Sequence, residues 1–172
     1  MAESKVRYAS VDVLRGMTVA AMLLVNDPGD WGHVWWPLEH AEWNGCTPTD
    51  LVFPLFLFIV GVSVSLAIVP RIDAGAARAP IRHAAVRRAL RIVGLGLLLN
   101  FVAWLAIPEA HLRLPGVLQR IGICFAAAAL LAVDTRPRTR DVLFVALLAV
   151  YGVVLLAGGM EPWTNLASRM DS

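Results

Sequence analysis

One polar segment, residues 26–49, carries the side chains best suited to chemistry. His40 is the leading candidate, because an imidazole changes protonation near neutral pH and can serve as a base or a nucleophile. Glu39, Glu42 and Asn44 stand close to it in the chain, and carboxylate or amide groups beside a histidine can fix its tautomer. A solvated loop can contain the same residue types without activity. The residues alone therefore admit an enzyme, a binding protein or part of a transporter.

A metal site is the main alternative for this segment, because histidine and carboxylate side chains are also metal ligands. Their spacing matches no metal-binding motif such as H-E-x-x-H, and we predict no metal site. The chain also lacks the glycine patterns of a P-loop or a dinucleotide-binding fold, and the nucleophile elbow of hydrolases.

The apolar content of the chain predicts an integral membrane protein. Of 172 residues, 58% are hydrophobic and 16% are charged, whereas a soluble domain has roughly 25% charged residues. Five apolar stretches approach the roughly 20 residues that cross a hydrocarbon core. We therefore predict an all-α fold, a polytopic bundle of about five transmembrane helices in a single domain, residues 1–172. The helices are expected at about 10–26, 48–69, 81–107, 115–133 and 141–159.

The basic residues fall in alternate loops. They cluster before helix one, between helices two and three, and between helices four and five. The positive-inside rule then predicts a cytoplasmic N-terminus and an outward-facing loop between helices one and two. Because the arginines flank apolar spans, we interpret them as topology signals for a lipid bilayer and expect no nucleic-acid partner. The first span is interrupted by charges and has no cleavage site after it, which disfavours a signal peptide.

Helix one carries a polar stripe that must avoid lipid. Asp12, Arg15, Thr18 and Asn26 recur at intervals that place them on one face of a helix. A stripe with charges should face other helices or a cavity. An ion pair between Asp12 and Arg15 near the membrane surface explains the charges equally well, so a structural and a functional role both remain open.

Two helix starts also carry polar side chains. Thr47, Pro48 and Asp50 fit an N-cap, a first helical position and a capping-box acid. Asp50 can therefore be a capping residue or a functional one. Gln119 and Arg120 stand in the first turns of helix four, where Arg120 either extends to the membrane surface or faces the bundle interior.

Several ordered motifs are more distinctive than any single residue. They are S-V-D-V-L-R-G at 10–16, V-N at 25–26, H-A-E-W-N-G-C-T at 40–47, T-D-L-V-F-P at 49–54, F-I-V-G at 58–61 and L-P-G-V-L-Q-R-I-G at 114–122. In this order and spacing they resemble the heparan-α-glucosaminide N-acetyltransferase family and its bacterial homologues.

The resemblance implies an activity with a defined direction. Family members take an acetyl group from acetyl-CoA, a co-substrate on the cytoplasmic side, and transfer it to the amine of a terminal glucosamine on the lumenal side. No permanently bound cofactor is implied. For this chain the resemblance suggests a multi-pass protein of a bacterial inner (plasma) membrane, whose acceptor is an amino sugar or glycan of the cell envelope.

The resemblance also suggests roles for individual residues. His40 matches the family's catalytic histidine, as a base or as an acetyl carrier, and Asn26 matches an asparagine that would donate a hydrogen bond to the thioester carbonyl. Asp50 would orient His40 or cap its helix. Substrate or cofactor contacts are expected from Asp12, Arg15, Trp43, Asn44, Gln119 and Arg120.

The basic segment before helix three has two possible partners. It contains Arg87, Arg88 and Arg91. These arginines would contact either the phosphates of coenzyme A or the headgroups of lipids.

One departure from the family leaves the activity of the chain open. The family's membrane domain has about twice as many helices, so we expect this chain to be truncated. Second-half helices from another polypeptide, or a homo-oligomer, would complete it. Whether the truncated chain is active by itself is left open. The alternative function is a non-catalytic membrane component that binds or transports an envelope glycan. Only the enzyme needs His40.

Overall fold

Five α-helices make up the part of the chain that the structure describes. The computed structural model describes residues 8–30, 32–42, 45–106 and 116–158. Each helix is long and apolar enough to cross a membrane, and the predicted all-α fold with five such helices is confirmed. A single turn of 3-10 helix, Trp36–Leu38, lies between the first two. The helices are α1 Ala9–Asn26, α2 Pro48–Asp73, α3 Arg78–Ala106, α4 Val117–Asp134 and α5 Pro137–Gly158.

Two helices extend beyond their predicted ends at prolines. α2 continues past residue 69 to Asp73, although Pro70 lies inside it. Proline lacks an N–H donor but keeps its carbonyl, and the Pro70 carbonyl accepts the N–H of Ala74 at 3.0 Å. α5 begins at Pro137 rather than at residue 141, because proline suits the first turn of a helix, where N–H groups have no partner within the helix.

The buried core joins α2, α3 and α4 near one end of these helices. It draws on the second half of α2, the first half of α3 and the second half of α4. Several of its members are alanines, and small residues allow helices to approach closely within a membrane. The core residues are Val64, Ile68, Ile81, Ala85, Ala89, Phe125, Ala129, Ala132 and Val133.

The chain divides into two compact units, Met1–Val133 and Asp134–Ser172. Within the first unit α1 packs against α2. We call the end where α1 stops and α2 starts the His40 end, because the connecting loop contains His40. The end where α2 stops and α3 starts is called the Arg15 end. These two ends separate the candidate site residues into two groups.

Candidate active site

His40 and Asp50 form a close pair at the His40 end. His40 Nδ1 lies 2.6 Å from Asp50 Oδ1, although the histidine is in the loop and the aspartate is in the first turn of α2. The imidazole side chain is 67% exposed and the carboxylate is 27% exposed. The histidine is therefore accessible to a substrate, while its partner is partly enclosed.

The second oxygen of Asp50 holds the start of α2. Asp50 Oδ2 accepts the backbone N–H of Thr47 at 2.9 Å and that of Ala41 at 3.2 Å. The first of these contacts belongs to a capping box. One oxygen of Asp50 thus contacts the imidazole, and the other accepts the backbone N–H groups at the start of α2. Because Ala41 follows His40, the contact to its N–H also fixes the backbone beside the imidazole.

Threonine hydroxyls attach the rest of the loop to α2. Thr47 Oγ1 lies 2.6 Å from the carbonyl oxygen of Glu39 and 3.0 Å from Asp50 Oδ2. Thr49 Oγ1 donates to the carbonyl of Pro37 at 2.9 Å, and Thr49 is only 2% exposed. The residues on both sides of His40 are consequently anchored to the first turn of one rigid helix.

This geometry selects one tautomer of His40. An ionised carboxylate only accepts hydrogen bonds, so the Nδ1 atom beside Asp50 must carry the hydrogen. In the neutral imidazole Nε2 then bears the lone pair. A histidine in this state can remove a proton or attack a carbonyl carbon through Nε2.

The same loop contains a second histidine–aspartate pair, whose hydrogen bonds do not include His40 or Asp50. His33 Nδ1 lies 2.8 Å from Asp30 Oδ2, and both side chains are mostly exposed. The N–H of Gly32, and secondly the His33 side chain, lower the pKa of the Asp30 carboxyl below its ordinary value. The contacts span only three residues, so this pair supports the local loop rather than a helix.

Asn26 lies at the last position of α1, at the His40 end. Its Nδ2 donates to the carbonyl of Met22 at 2.6 Å, one turn earlier in the same helix. Asn26 is exposed, and an amide nitrogen carries two hydrogens. The side chain is therefore held against its own helix, with one hydrogen used there.

Asp12 and Arg15 lie on the first turns of α1, toward the Arg15 end. Arg15 Nη1 is 3.5 Å from Asp12 Oδ1, and Arg15 Nη2 donates to Ser63 Oγ of α2 at 2.7 Å. The Ser63 hydroxyl in turn donates to the carbonyl of Ile59 at 2.7 Å. The structure thus brings Asp12 and Arg15 together as an ion pair and also ties Arg15 to a second helix.

A cavity of about 370 Å³ opens beside this network. Three arginines from three helices line it together with apolar side chains: Arg15, Arg71 and Arg88. The Arg88 guanidinium carbon lies 5.0 Å from the centroid of the Phe125 ring, a cation–π arrangement that orients it. Clustered guanidinium groups bind phosphates and carboxylates well. The cavity therefore suits an anionic ligand with an apolar portion.

Gln119 and Arg120 occupy the first turn of α4. Gln119 is 5% exposed, and its Nε2 has no hydrogen-bond partner among the described residues. Its Oε1 lies where side chains at Gly96 or Gly116 would otherwise be, so both glycines make room for the amide. Arg120 is exposed, unlike its neighbour. These two residues therefore lie on different faces of α4.

Some predicted site residues cannot be compared with the structure. Trp43 and Asn44 lie outside the described residues. Glu39 and Glu42 are exposed; Glu39 contributes its backbone carbonyl rather than its carboxylate to the loop. Across the described parts of the chain, no three histidine, cysteine, aspartate or glutamate side chains are grouped as metal ligands would be.

Sequence reasoning overlooked two residues of the arginine-lined cavity. Ser63 carries no predicted role, and Arg71 is one of the basic residues between helices two and three that we interpret as topology signals, yet both line the cavity. Their signal was available, because Val60, Ser63, Ala67 and Arg71 recur every three or four residues along one face of α2.

Known proteins similar to this chain belong to the family that its ordered motifs resemble. Residues 7–168 match the family described as heparan-alpha-glucosaminide N-acetyltransferase, catalytic. The chain is 32% identical over 127 residues to heparan-alpha-glucosaminide N-acetyltransferase of Mus musculus and 33% identical over 127 residues to that of Homo sapiens. Each alignment covers 73% of this chain and 19% of the relative. This chain is an integral membrane protein that belongs to the heparan-alpha-glucosaminide N-acetyltransferase family.

Proposed function

We propose that this protein transfers an acetyl group from acetyl-CoA, bound at the Arg15 end, to the amine of an amino sugar at the His40 end. The family gives the reaction type, N-acetyl transfer. The contact that carries the proposal is the 2.6 Å distance between His40 Nδ1 and Asp50 Oδ1. Because Nδ1 contacts Asp50, the lone pair of the neutral imidazole is on Nε2, in a side chain that is accessible. Nε2 can therefore act as a base beside the membrane surface.

The chemistry needs such a base. An ammonium group has no lone pair, so the sugar amine must be neutral before it attacks the thioester. In the transfer step the amine nitrogen forms a bond to the acetyl carbon, the carbon–sulfur bond breaks, and His40 Nε2 takes the proton that the amine loses. Coenzyme A leaves as the thiolate. Asp50 then faces an imidazolium, whose charge it stabilises.

The donor site is proposed in the arginine-lined cavity. Coenzyme A is a phosphate-bearing nucleotide with a long, flexible arm, and the cavity offers Arg15, Arg71 and Arg88 beside apolar side chains. Asp50 and Ser63 are separated by 13 residues of α2, which corresponds to about 20 Å along a helix. The arm of the donor would cover this distance to bring the thioester to His40.

The proposed orientation follows from the loop charges. We place the Arg15 end on the cytoplasmic side, where acetyl-CoA is made, and the His40 end on the outer side, where a glycan acceptor would be available. Asn26 lies at the same end as His40. Its remaining amide hydrogen could bind the thioester oxygen as negative charge develops there.

A paired variant experiment tests the proposal. The wild-type chain, His40→Ala and His33→Ala are reconstituted in vesicles with acetyl-CoA at the Arg15 end and glucosamine at the other. His33 is the matched control, because it lies in the same loop and also contacts an aspartate at 2.8 Å. We expect His40→Ala to lose at least about 100-fold in rate and His33→Ala to retain the wild-type rate. Full transfer by His40→Ala, or none by the wild type, would contradict the proposal.

A further inference from the structure

The arginines of α3 point in different directions around the helix. The buried residues Ile81, Ala85 and Ala89 follow one another at intervals of four and are 4%, 4% and 5% exposed. His83, Arg87 and Arg91 follow the same interval two positions later and are exposed. Two residues correspond to about 200° of rotation around an α-helix. We call this second row the basic stripe. It lies on the side of α3 that faces away from the buried core between the helices.

Arg88 is turned about 100° from Arg87 and has different surroundings. It is adjacent to Arg87 in the chain, yet it lines the arginine-lined cavity and lies over Phe125. Arg87 instead lines a separate surface groove of about 400 Å³ with Ala79, Pro80, His83 and Ala84. The groove belongs to one helix and is independent of the proposed donor site except for the shared Ala84.

The length of α3 places the basic stripe at the depth of lipid headgroups. The helix has 29 residues, about 43 Å, whereas the hydrocarbon core is roughly 30 Å thick. Residues 92–106 contain no charge and rise about 22 Å, so the hydrocarbon core also takes in about five residues before them. His83 and the turn before it then lie in the interfacial layer. Arg87 and Arg91 reach its phosphate groups by extending their long side chains toward the start of the helix.

The charge of the stripe favours one class of lipid. No aspartate or glutamate occurs anywhere in α3, and an arginine near an anionic surface contributes favourably to binding. A groove with small apolar walls next to His83 and Arg87 can hold a glycerol backbone, while the two side chains bind the phosphate.

We propose that the basic stripe and its groove bind the headgroup of an anionic phospholipid in the leaflet at which α3 begins. His83 and Arg87 contact the phosphate from the groove, and Arg91 adds a second charge one turn deeper. The site would anchor the first turns of α3 at a fixed depth. It does not depend on the acetyltransferase proposal, since none of these three side chains lines the arginine-lined cavity.

Native mass spectrometry of the purified protein in mixed micelles tests this site. Phosphatidylglycerol and phosphatidylcholine are supplied in equal amounts to the wild-type chain and to the variant His83→Gln/Arg87→Gln/Arg91→Gln. The control, Arg136→Gln/Arg138→Gln/Arg140→Gln, removes three basic residues at the start of α5 instead. Each arginine near an anionic surface is worth about fivefold in binding. We expect the stripe variant to retain at least about tenfold less phosphatidylglycerol than the wild type. The control should lose less than the stripe variant, because it keeps the groove and its side chains.

Two further measurements complete the test. A photoactivatable phosphatidylglycerol should crosslink the wild-type chain within residues 78–91, and its phosphatidylcholine counterpart should not; this result does not depend on the folding of a variant. Glycerol phosphate in millimolar excess should fail to displace the lipid. Equal retention of phosphatidylglycerol by the stripe variant and the wild type, or crosslinks confined to other helices, would overturn the proposal. Displacement by glycerol phosphate would assign the groove to a soluble phosphate ester instead.

Discussion

His40 and Asp50 are ten residues apart in the chain, and a 2.6 Å contact joins Nδ1 of the first to Oδ1 of the second. The other oxygen of Asp50 accepts hydrogen bonds from Thr47 and Ala41. The orientation of the imidazole is consequently coupled to the capping of α2. A displacement of the first turn of the helix would also displace the proposed base.

Replacing Asp50 by asparagine should change the tautomer of His40. The amide has nearly the same shape, but its nitrogen can donate to Nδ1, which would move the imidazole hydrogen to Nε2. We expect the rate of acetyl transfer to fall by about 100-fold or more, with the protein still folded. The measurement is the turnover rate in vesicles, together with the nitrogen chemical shifts of the imidazole.

Thr47→Ala is the matched control for that substitution. It removes the capping hydroxyl, which contacts Glu39 and Asp50 but not the imidazole. We expect a loss of about 1 kcal/mol in stability and a clearly smaller loss of rate than in Asp50→Asn, because the contact between Asp50 and the imidazole remains. An equal loss of rate in both variants would mean that Asp50 acts through the helix cap alone.

The sequence predicts roles for both His40 and Asp50, but it leaves capping and orienting as alternatives for Asp50. Spacing along a chain can predict a capping box, because a cap is local. It cannot show that a loop residue ten positions earlier returns to the same carboxylate. The helices were predictable for a simpler reason, since the number of apolar residues needed to cross a membrane is set by its thickness.

The arginine-lined cavity was harder to predict. Arg15, Arg71 and Arg88 belong to three helices, and their proximity depends on how these helices pack. Arg87, Arg88 and Arg91 form one basic group in the sequence, with two explanations. In the structure only Arg88 of the three lines the cavity. The buried row of Ile81, Ala85 and Ala89 sets the rotation of α3, but alanines give only a weak apolar signal in a sequence.

Removing the hydroxyl of Ser63 should weaken donor binding more than it slows turnover. Ser63 Oγ holds Arg15 at 2.7 Å, and hydrogen bonds to charged groups are worth about 1.5–3 kcal/mol. We expect Ser63→Ala to raise the KM for acetyl-CoA about tenfold, with kcat changed by less than about threefold. Steady-state kinetics with acetyl-CoA as the varied substrate measures both constants.

The control is Ser65→Ala, at an exposed position of the same helix, for which neither constant should change. A fall in kcat with an unchanged KM would place Arg15 outside the donor site.

Two glycines of α3 should respond differently to substitution. A methyl group at Gly96 would lie 2.8 Å from the Cβ atom of Leu118 and 2.7 Å from Oε1 of Gln119, whereas one at Gly94 would meet nothing within 4 Å. The Leu118 atom is fixed by the backbone of α4, so α3 and α4 would have to separate. We expect Gly96→Ala to lower stability by about 1–3 kcal/mol and Gly94→Ala to leave it unchanged or slightly raised. Thermal unfolding in detergent distinguishes them, and equal melting temperatures would contradict the close approach of the two helices.

The exposure of His40 predicts which of the two chemical routes is used. An acetyl-imidazole hydrolyses readily, and enzymes that form reactive intermediates usually exclude water from them. The His40 side chain is 67% exposed, which favours a base acting while donor and acceptor are both bound. We therefore expect no label on His40 when the protein is incubated with acetyl-labelled acetyl-CoA alone, quenched rapidly and examined by peptide mass spectrometry. Double-reciprocal plots for the two substrates should intersect. Parallel plots, or a labelled peptide containing His40 that is absent from His40→Ala, would establish the acetyl-histidine route instead.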